Sequence, residues 1–548
     1  MTEEDIHIEA SNAEPQKTPD GSRKGWKKPL LLILFGVVMG WLFPVAHSCD
    51  GARGTAGDGK IGEVTGLIAS RYVDSIAADS LQDDAVHALM AALDPHSCYI
   101  TKAEVEQEMN DMHGSFEGVG LMVKQLNDTV FVGSVIEDGP STGLDILAGD
   151  CIVAVDTVNA IGLAVDKVVE LLRGPGGTKV GITLQRYGES GTRRVEVTRG
   201  MVPTPSLACC CMMNDSLGYI RLTRFSETSY QEFCKALTSL KAKGMTALIL
   251  DLRDNGGGLL EAAIGIVDEL LPGRNPILYS QGAHRKRRMV YSSWGGLFGE
   301  GRLVVLVDEF SVSASEIVAG AVQDNDRGLV VGRRTFGKGL VQEQIELSDG
   351  SLLRLTTAHY YTPSGRCIQR PYGDGNNTYY SDFYTRVVDE VLTDSALVSI
   401  TDSTPYYTLV KHRTVYGGGG VYPDRRIPYK KDPRVAYYNA VLDKGLPARF
   451  GFRYVTSHVQ ELLKAYPDEE SFVKGFAVSD AMFGEFLRAA DRTGVQRNAT
   501  GIAAYKKEMC TYIKAYIAQS LYGTKAFCRI ALDNDSDVEQ TIEIMKEL

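Results

Sequence analysis

The chain has 548 residues, a length typical of three or four domains. Of these residues 44% are hydrophobic and 23% are charged, which is the composition of a globular protein. Acidic residues outnumber basic ones by 69 to 58, so the formal net charge is −11, which argues against a nucleic-acid partner. The sequence contains neither an HExxH segment nor a paired CxxC spacing, so no catalytic metal is indicated.

The first predicted element is an uncharged apolar segment at residues 29–46, PLLLILFGVVMGWLFPVA. A helix of this length spans about 27 Å, which is enough to cross a bilayer. Four basic residues lie shortly before the segment and Asp50 follows it, so the positive-inside rule puts residues 1–28 in the cytoplasm and the bulk of the chain outside. We therefore predict a cytoplasmic tail at 1–28 and a single-pass transmembrane anchor at 29–46.

Two alternatives to an uncleaved anchor stay open. A cleaved signal peptide has the same order of charged and apolar regions, although a charged region as long as residues 1–28 is unusual for one. Lipidation of Cys49 after cleavage is the second alternative, although His47 and Ser48 form a poor approach to that cysteine.

Residues 47–59 and 60–112 connect this segment to the rest of the chain. The first range contains the run GARGTAGDG, which is typical of a flexible linker. The second range has a mainly helical pattern that is interrupted at 93–100 by LDPHSCYI, where Asp-Pro marks a turn. His96 in this turn could be proposed as a base, but a histidine in a turn more often makes structural hydrogen bonds.

Short alternating strands predict a compact peptide-binding module at residues 113–200. Segments such as TVFVGSV and KVGITLQR have the pattern of strands, and AVDKVVELLRG has the spacing of a helix. The module begins with GSFEGVGL, which puts Gly118 and Gly120 directly before a strand. Glycines there let successive backbone N–H groups turn toward an anion such as a terminal carboxylate. A glycine-rich entry to a hairpin is the alternative interpretation.

Strands and helices alternate from 217 to about 345, which predicts a layered α/β core with a partly parallel sheet. The buried-type strands include RLVVLVDE and TALILDLR, and the second of these ends in the glycine turn DNGGG. We assign residues 201–430 to this core and residues 431–548 to a C-terminal helical region. In that region Ile502, Tyr505 and further apolar residues recur at helical spacing.

The segment DEFSVSASEIVAG, residues 308–320, is the first candidate for chemistry. A buried-type strand leads into a serine-rich corner and then a helix, and Ser313 with Glu316 three residues later forms a capping box. Capping is the commoner role for such a serine, but helix N–H groups and the positive end of the helix dipole converge there and would stabilise an oxyanion. Both interpretations stay open. The sequence has no GxSxG segment, so an α/β-hydrolase elbow is unsupported.

The segment GRRTFGKGLVQ, residues 332–342, looks like a phosphate-binding loop, but Gly339 stands where that motif needs Ser or Thr. Lys338 is instead a candidate base, since the histidines nearest to Ser313 in sequence lie in no telling motif. A lysine is a base only when it is neutral, so its pKa of about 10.4 must fall by roughly three units. Burial among the neighbouring apolar residues would lower the pKa by that amount. The alternative interpretation is that Lys338 is an ordinary charged lysine on the surface.

Four segments together resemble the carboxyl-terminal processing proteases, which are also called tail-specific proteases. They are LDPHSCYI at 93–100, LDLRDNGGG at 250–258, SASE at 313–316 and TFGKGLVQ at 335–342, in the order that the family has. The resemblance covers roughly residues 60–430 and implies a crotonase-like α/β peptidase core with an inserted PDZ domain at 113–200. It also implies that a Ser–Lys dyad cleaves protein substrates near their C-terminus.

The resemblance assigns the dyad residue by residue. It implies that Ser313, and not Ser315, is the nucleophile and that Lys338 is the general base. Gln342, four residues after the lysine, matches the family's third polar residue, which orients that base. All three positions carry the residue types that the family's chemistry needs.

The resemblance also assigns two binding features. The backbone N–H groups of Ala314 and Gly258 would form the oxyanion hole, with Gly256 and Gly257 as alternatives to Gly258. The carboxylate-binding loop of the PDZ domain would consist of four consecutive residues. These are Gly118, Val119, Gly120 and Leu121.

The implied partners are proteins or peptides with free C-termini, the reaction needs no metal or cofactor, and the helical ends of the chain could assemble a homo-oligomer. With the predicted anchor, the resemblance puts the protein in the bacterial inner membrane with its catalytic domain in the periplasm. Two rivals are a non-catalytic PDZ scaffold of the cell envelope and a crotonase-like acyl-CoA enzyme. The intact dyad argues against the scaffold, and the anchor and PDZ-like insert argue against the acyl-CoA enzyme.

Overall fold

The computed structural model describes residues 59–393 and 402–547. The predicted anchor at 29–46 lies outside these residues, as do the tail before it and most of the predicted linker. Within the described part of the chain, no helix has both the length and the apolar character that crossing a bilayer requires. The described residues divide into two compact units, and the division lies between Leu81 and Gln82.

Three helices and one short strand precede the predicted peptide-binding module. They are α1 (Lys60–Arg71), α2 (Ala78–Ala91), β1 (Cys98–Ile100) and α3 (Lys102–His113). The Asp94 carboxylate accepts hydrogen bonds from the N–H groups of His96 and Ser97 at 2.9 and 3.0 Å, which forms the turn that Asp-Pro predicts. The LDPHSCYI segment is more than a turn, however, because β1 pairs antiparallel with a strand of the α/β core, Leu352–Tyr361.

The predicted peptide-binding module contains an antiparallel sheet, one helix and a separate two-stranded ribbon. Its elements are β2 (Ser115–Gly118), β3 (Leu121–Leu126), β4 (Thr129–Val135), β5 (Cys151–Val155), β6 (Val158–Asn159), α4 (Val165–Leu172), β7 (Lys179–Gln185), β8 (Arg193–Thr198) and β9 (Gly200–Pro203). The sheet order is β3-β4-β5-β7-β8, with β6 on β5, and β2 pairs with β9. Alternate residues such as Val130 and Val132 are fully buried in the module's own core. Among the described residues β3 pairs with β4 alone, so its other edge is open.

The α/β core follows directly. Its elements are β10 (Leu207–Met212), β11 (Leu217–Leu222), α5 (Ser229–Ala242), β12 (Ala247–Asp251), α6 (Leu260–Leu270), β13 (Pro276–Gly282), β14 (Arg285–Tyr291), β15 (Arg302–Val307), α7 (Ala314–Asp324), β16 (Leu329–Gly332), β17 (Leu340–Glu346), β18 (Leu352–Tyr361), α8 (Asn376–Thr393), β19 (Asp402–Tyr407), β20 (Thr414–Gly417) and β21 (Arg425–Arg426). One large hydrophobic cluster joins the inner strands β11, β12 and β15 to the helices α5, α6 and α7. This cluster is the main core of the protein and supports the strands from which the candidate site is built.

Two sheets organise the core. The first has the order β10-β11-β12-β15-β16-β21, and its strands from β11 onward are parallel. All five residues of β12 are buried, as expected for an apolar run in a parallel sheet that is covered on both faces. The second sheet is antiparallel and has the order β1-β18-β13-β14, with β17 paired to β18.

The C-terminal region is helical, as the apolar spacing predicts. Its helices are α9 (Ala436–Asp443), α10 (Leu446–Ala465), α11 (Glu469–Gly475), α12 (Asp480–Arg492), α13 (Ala499–Ala504), α14 (Lys506–Tyr522), α15 (Thr524–Ala531) and α16 (Ser536–Lys546). On one side α10 packs closely against the predicted peptide-binding module. A Cβ added to Gly149 of the module would lie only 2.7 Å from the Cα of Thr456 on α10, so only glycine fits there. On the other side Arg253 of the α/β core forms an ion pair with Asp535 at 2.7 Å. The helical region therefore contacts both the module and the core.

Candidate active site

Three loops meet at the carboxyl edge of the parallel sheet, and each carries residues that the sequence singles out. β12 leads into the glycine turn at 256–258, β15 leads into Ser313 and α7, and β16 leads into the loop that holds Lys338. Because β15 is the direct neighbour of both β12 and β16, the three loops leave the sheet side by side. The strand order thus brings together segments that are far apart in sequence.

Ser313 lies where the chain turns from β15 into α7. Its φ of 56° and ψ of −109° lie outside the regions that L-residues usually occupy, so the serine is held in a strained conformation. Its side chain is half-buried, and Ala314 begins the helix directly after it. Strain of this kind persists only where the surrounding structure enforces it, and it is concentrated at functional sites.

The Glu316 carboxylate ties Ser313 to the loop of Lys338. Its Oε2 accepts hydrogen bonds from the backbone N–H groups of Ser313 at 2.8 Å and Lys338 at 2.9 Å. Its Oε1 accepts from the Gly337 N–H at 2.7 Å and the Thr335 hydroxyl at 2.6 Å. Burial raises the pKa of Glu316, while these hydrogen bonds favour the ionised form. The predicted capping box is present, and its glutamate also fixes a second loop.

The Lys338 ammonium is held by a short chain of polar contacts. Its Nζ donates to Oε1 of Gln342 at 2.8 Å, and Nε2 of Gln342 donates to the backbone carbonyl of His96 at 2.6 Å. Burial of the ammonium, together with the positive charge of Arg354, lowers the pKa of Lys338 to about 8. The lysine is therefore half neutral near pH 8. Phe336, two residues before it, is buried, in agreement with the apolar surroundings that the sequence predicts.

A buried tyrosine links the backbones of the same two residues. The hydroxyl of Tyr360, on β18, lies 3.2 Å from the carbonyl oxygen of Ser313 and 3.0 Å from that of Lys338. The side chain is only 1% exposed, and burial raises the pKa of its hydroxyl, so Tyr360 remains a protonated donor. Tyr360 and Glu316 together fix the segment of Ser313 against the segment of Lys338.

The N–H groups of Ala314 and Gly258 are available to an oxyanion. Neither donates a hydrogen bond to any described residue, and Ala314 is the first residue of α7, where an N–H has no helical partner. The Gly257 N–H is already donated to Oδ1 of Asn255 at 2.9 Å, which favours Gly258 over Gly257 as the donor. Gly257 instead allows the glycine turn to approach Ser313 closely. Any other residue at this position would place its Cβ only 2.9 Å from the Cβ of Ser313.

Comparison with known proteins shows the family to which this arrangement belongs. The sequence model of peptidase family S41 matches residues 216–374, and a PDZ domain model matches residues 131–186. The carboxy-terminal-processing protease of Bartonella bacilliformis is 33% identical over 315 residues, which cover 57% of this chain and 72% of that protein. The chain belongs to the carboxy-terminal processing proteases of peptidase family S41.

A second curated relative agrees with this assignment. The carboxy-terminal processing protease of Bacillus subtilis is 31% identical over 349 residues, covering 59% of this chain and 72% of that protein. Among solved structures, the photosystem II D1 C-terminal processing protease is 30% identical and covers 56% of this chain and 82% of its own, with a TM-score of 0.32. Residues 437–523 match a family of unknown function. This carboxy-terminal processing protease is a serine-type peptidase with a mixed α/β fold and a PDZ domain.

In this carboxy-terminal processing protease the four residues assigned to the PDZ carboxylate loop divide between three elements. Gly118 ends β2 and Leu121 begins β3, which leaves Val119 and Gly120 as the loop itself. The carbonyl of Val119 accepts a hydrogen bond from the Ser141 hydroxyl at 2.6 Å, and that of Gly120 accepts one from a backbone N–H just after β4 at 2.9 Å. Both loop N–H groups lack an acceptor in the described part of the protease, so they are open to a ligand.

Several contacts of the site are not predictable from sequence spacing. Tyr360 contacts the carbonyls of Ser313 and Lys338, and the carbonyl of His96 accepts a hydrogen bond from Gln342, but neither contact follows from the spacing of these residues in the sequence. Burial lowers the pKa of His96 to about 3, and its Nε2 lies 3.0 Å from the Tyr379 hydroxyl, which is the kind of structural hydrogen bond expected of a histidine in a turn. The LDPHSCYI motif is the signal that could have placed this segment beside Lys338, since it is one of the four that the family shares.

Proposed function

We propose that this chain is a membrane-anchored serine endopeptidase that binds free C-termini through its PDZ domain and cleaves proteins near their tails with a Ser–Lys dyad. Ser313 is the nucleophile, Lys338 is the general base and Gln342 orients the lysine. The observation that supports the dyad most strongly is the environment of Lys338. A buried ammonium with a lowered pKa stands on a loop that Glu316 ties to the strained serine.

The reaction is peptide hydrolysis by acyl transfer. Neutral Lys338 takes the proton of the Ser313 hydroxyl, whose oxygen attacks the carbonyl carbon of the scissile bond. The oxyanion accepts hydrogen bonds from the N–H groups of Ala314 and Gly258, and one such donor typically contributes about 3 kcal/mol. Lys338 then gives its proton to the leaving amine, and water hydrolyses the acyl-enzyme.

The PDZ domain supplies the preference for tails. The open edge of β3 accepts the substrate as an added strand, and the free N–H groups of Val119 and Gly120 at the start of β3 bind its terminal carboxylate. An internal segment has no such carboxylate, so it binds more weakly. Tail recognition and cleavage therefore belong to different domains of the same chain.

The location in the cell is part of the same proposal. It rests on the apolar segment at 29–46 and the basic residues before it, all of which lie outside the described residues. The catalytic domain would face the periplasm from the bacterial inner membrane. A homo-oligomer assembled through the helical ends is compatible with this placement.

The proposal is tested with an unfolded polypeptide substrate that carries either a free or an amidated C-terminus. We expect cleavage near the free tail by mass spectrometry, a rate at least about tenfold lower for the amidated substrate, and a loss of about 10⁴-fold or more in Ser313→Ala. Ser315→Ala is the matched control from the same SASE segment and should retain cleavage. Cleavage by Ser313→Ala at the natural rate would overturn the dyad, and equal rates on the two substrates would overturn tail recognition.

The pH dependence of cleavage should respond to Arg354, whose positive charge helps to lower the pKa of Lys338. In Arg354→Gln the charge is gone and Glu108, its ion-pair partner, is left unpaired, and both changes favour protonated lysine. Because only neutral lysine is a base, the acid limb of the rate profile should move to higher pH, with activity at pH 7 falling about two- to fivefold. Arg285→Gln, which breaks a similar ion pair with Glu343, is the control and should leave the limb in place.

A further inference from the structure

A cleft with a volume of about 690 Å³ lies between the PDZ domain and the C-terminal helices. The PDZ domain contributes the turn between β3 and β4, residues 126–129, and the loop between β7 and β8. The helical region contributes residues of α10 and the end of α12. The cleft is thus built half from the tail-binding domain and half from the region that matches a family of unknown function.

Three arginines of the helical region line this cleft. Arg449 and Arg453 are one turn apart on α10, which puts them on one face of the helix, and Arg492 ends α12. All three are exposed, and within the described residues none of their guanidinium groups has a hydrogen bond or ion pair. Three arginines that converge on one cleft form a local basic patch in a chain with a net charge of −11.

The other charges of the cleft do not neutralise these arginines. Arg186 is buried and already paired with Asp150 at 2.7 Å. Glu189 is bound to Arg193 at 2.8 Å and accepts a hydrogen bond from Gln460. Asp128 is the remaining acidic residue of the lining, so the cleft carries an excess of unpaired positive charge.

One end of the cleft, at the turn after β3, lies where the upstream part of a bound tail leaves the PDZ domain, and the rest extends past β4 and β5 to the loop between β7 and β8. A C-terminus held by Val119 and Gly120 at the start of β3 can pair with the open edge of β3 only in the antiparallel direction. Its upstream residues then run toward Leu126, the last residue of β3, and the turn that follows lines the cleft. At about 3.3 Å per residue, the six residues of β3 span roughly 20 Å, so about six tail residues cover the strand.

We propose that this cleft is an extended substrate subsite that selects tails with acidic residues about six to ten positions before the C-terminus. This inference rests on the proposed binding of free C-termini by the PDZ domain. Arg449, Arg453 and Arg492 bind the acidic side chains after the last residues of the tail have filled the groove along β3. The helical region thereby binds a part of the substrate that the PDZ groove does not contact.

The test measures binding of two fluorescent peptides to the full chain carrying Ser313→Ala. The peptides share their last six residues and have either Asp and Glu or Asn and Gln at the seventh to eleventh positions from the end. We expect the acidic peptide to bind about five- to twentyfold more tightly at low ionic strength, because each exposed ion pair adds a modest gain, and this preference should shrink in high salt. Adding Arg449→Gln, Arg453→Gln and Arg492→Gln should bring the ratio of the two dissociation constants close to one.

A charge-matched control separates the cleft from the net charge of the protein. Lys235→Gln, Lys286→Gln and Arg288→Gln remove three exposed cations from the α/β core and should keep the preference for the acidic peptide. Equal binding of the two peptides, or a preference that survives the three cleft substitutions, would overturn the subsite. An amidated version of each peptide tests tail recognition by the PDZ domain separately from the subsite in the cleft. If amidation changes nothing or no peptide binds, tail recognition itself fails and the subsite fails with it.

Discussion

Replacing Lys338 by methionine is expected to abolish peptide cleavage and at the same time to make the protein more stable at pH 7. The loss of activity should be about 10⁴-fold or more, because the variant lacks the base that we propose for Ser313. Methionine has nearly the shape of lysine without its charge, so the surrounding loops keep their positions. A single change would thus separate what the lysine does for catalysis from what it does for folding.

The gain in stability follows from the lowered pKa. The pKa of Lys338 is about 8 in the folded protein and 10.5 in the unfolded chain, so the protonated lysine disfavours folding. The penalty is fully present below about pH 7 and vanishes above about pH 10.5, and at pH 7 it corresponds to about 3 kcal/mol. Leaving Oε1 of Gln342 without its donor costs about 1–2 kcal/mol, so the net gain at pH 7 is about 1–2 kcal/mol.

Thermal and chemical unfolding of both proteins between pH 7 and pH 10 measures this effect, and a substrate assay measures the loss of cleavage. The stabilisation by Lys338→Met should shrink as the pH rises. Lys286→Met, which replaces an exposed lysine of β14, is the control and should change neither property. A methionine variant that keeps a tenth of the natural activity would show that Lys338 is not the base.

The second large effect is expected at Glu316. Glu316→Ala removes the acceptor of four hydrogen bonds inside the protein and leaves three backbone N–H groups and one hydroxyl without it. Each buried donor left unpaired costs about 1–3 kcal/mol, so the free energy of unfolding should fall by about 4 kcal/mol or more. The loop of Lys338 is then no longer tied to Ser313, and kcat should fall by at least about 100-fold.

Glu316→Gln distinguishes this role from helix capping alone. The amide keeps the size of the side chain, but its NH2 end must face N–H donors, so we expect kcat to fall about tenfold or more while the fold is retained. A residue that only capped α7 would lower the free energy of unfolding by about 1 kcal/mol and leave kcat unchanged. Glu343→Gln, on the neighbouring β17, is the matched control. Unchanged kcat in both Glu316 variants would contradict the positioning role.

The sequence predicts local features of the site and misses those that depend on distant strands. The SASE segment identifies the start of α7 and its capping box, because Ser313 and Glu316 are only three residues apart. The same spacing says nothing of the bonds from Glu316 to residues 335–338. Those bonds form because β15 and β16 are neighbours in the parallel sheet. The order of strands in a sheet cannot be predicted from the sequence of any single segment.

Tyr360 and β1 show the same limit from the antiparallel sheet. Tyr360 reaches Ser313 across 47 positions of sequence, through the pairing of β17 with β18. The local pattern of LDPHSCYI predicts a turn after Asp94. Its last three residues nevertheless form strand β1, because they pair with β18. Edge pairing of this kind depends on tertiary structure, so periodicity within a short segment does not predict it.

The most direct test of the account is the pH dependence with which a fluorophosphonate reacts with Ser313 in the full chain. The reagent needs no PDZ binding, and peptide mass spectrometry identifies the modified serine. If neutral Lys338 activates Ser313, the rate should rise tenfold per pH unit at low pH, level off with a midpoint near 8, and collapse in Lys338→Met. A rate that is unchanged in Lys338→Met, or that still rises steeply above about pH 10, would contradict it.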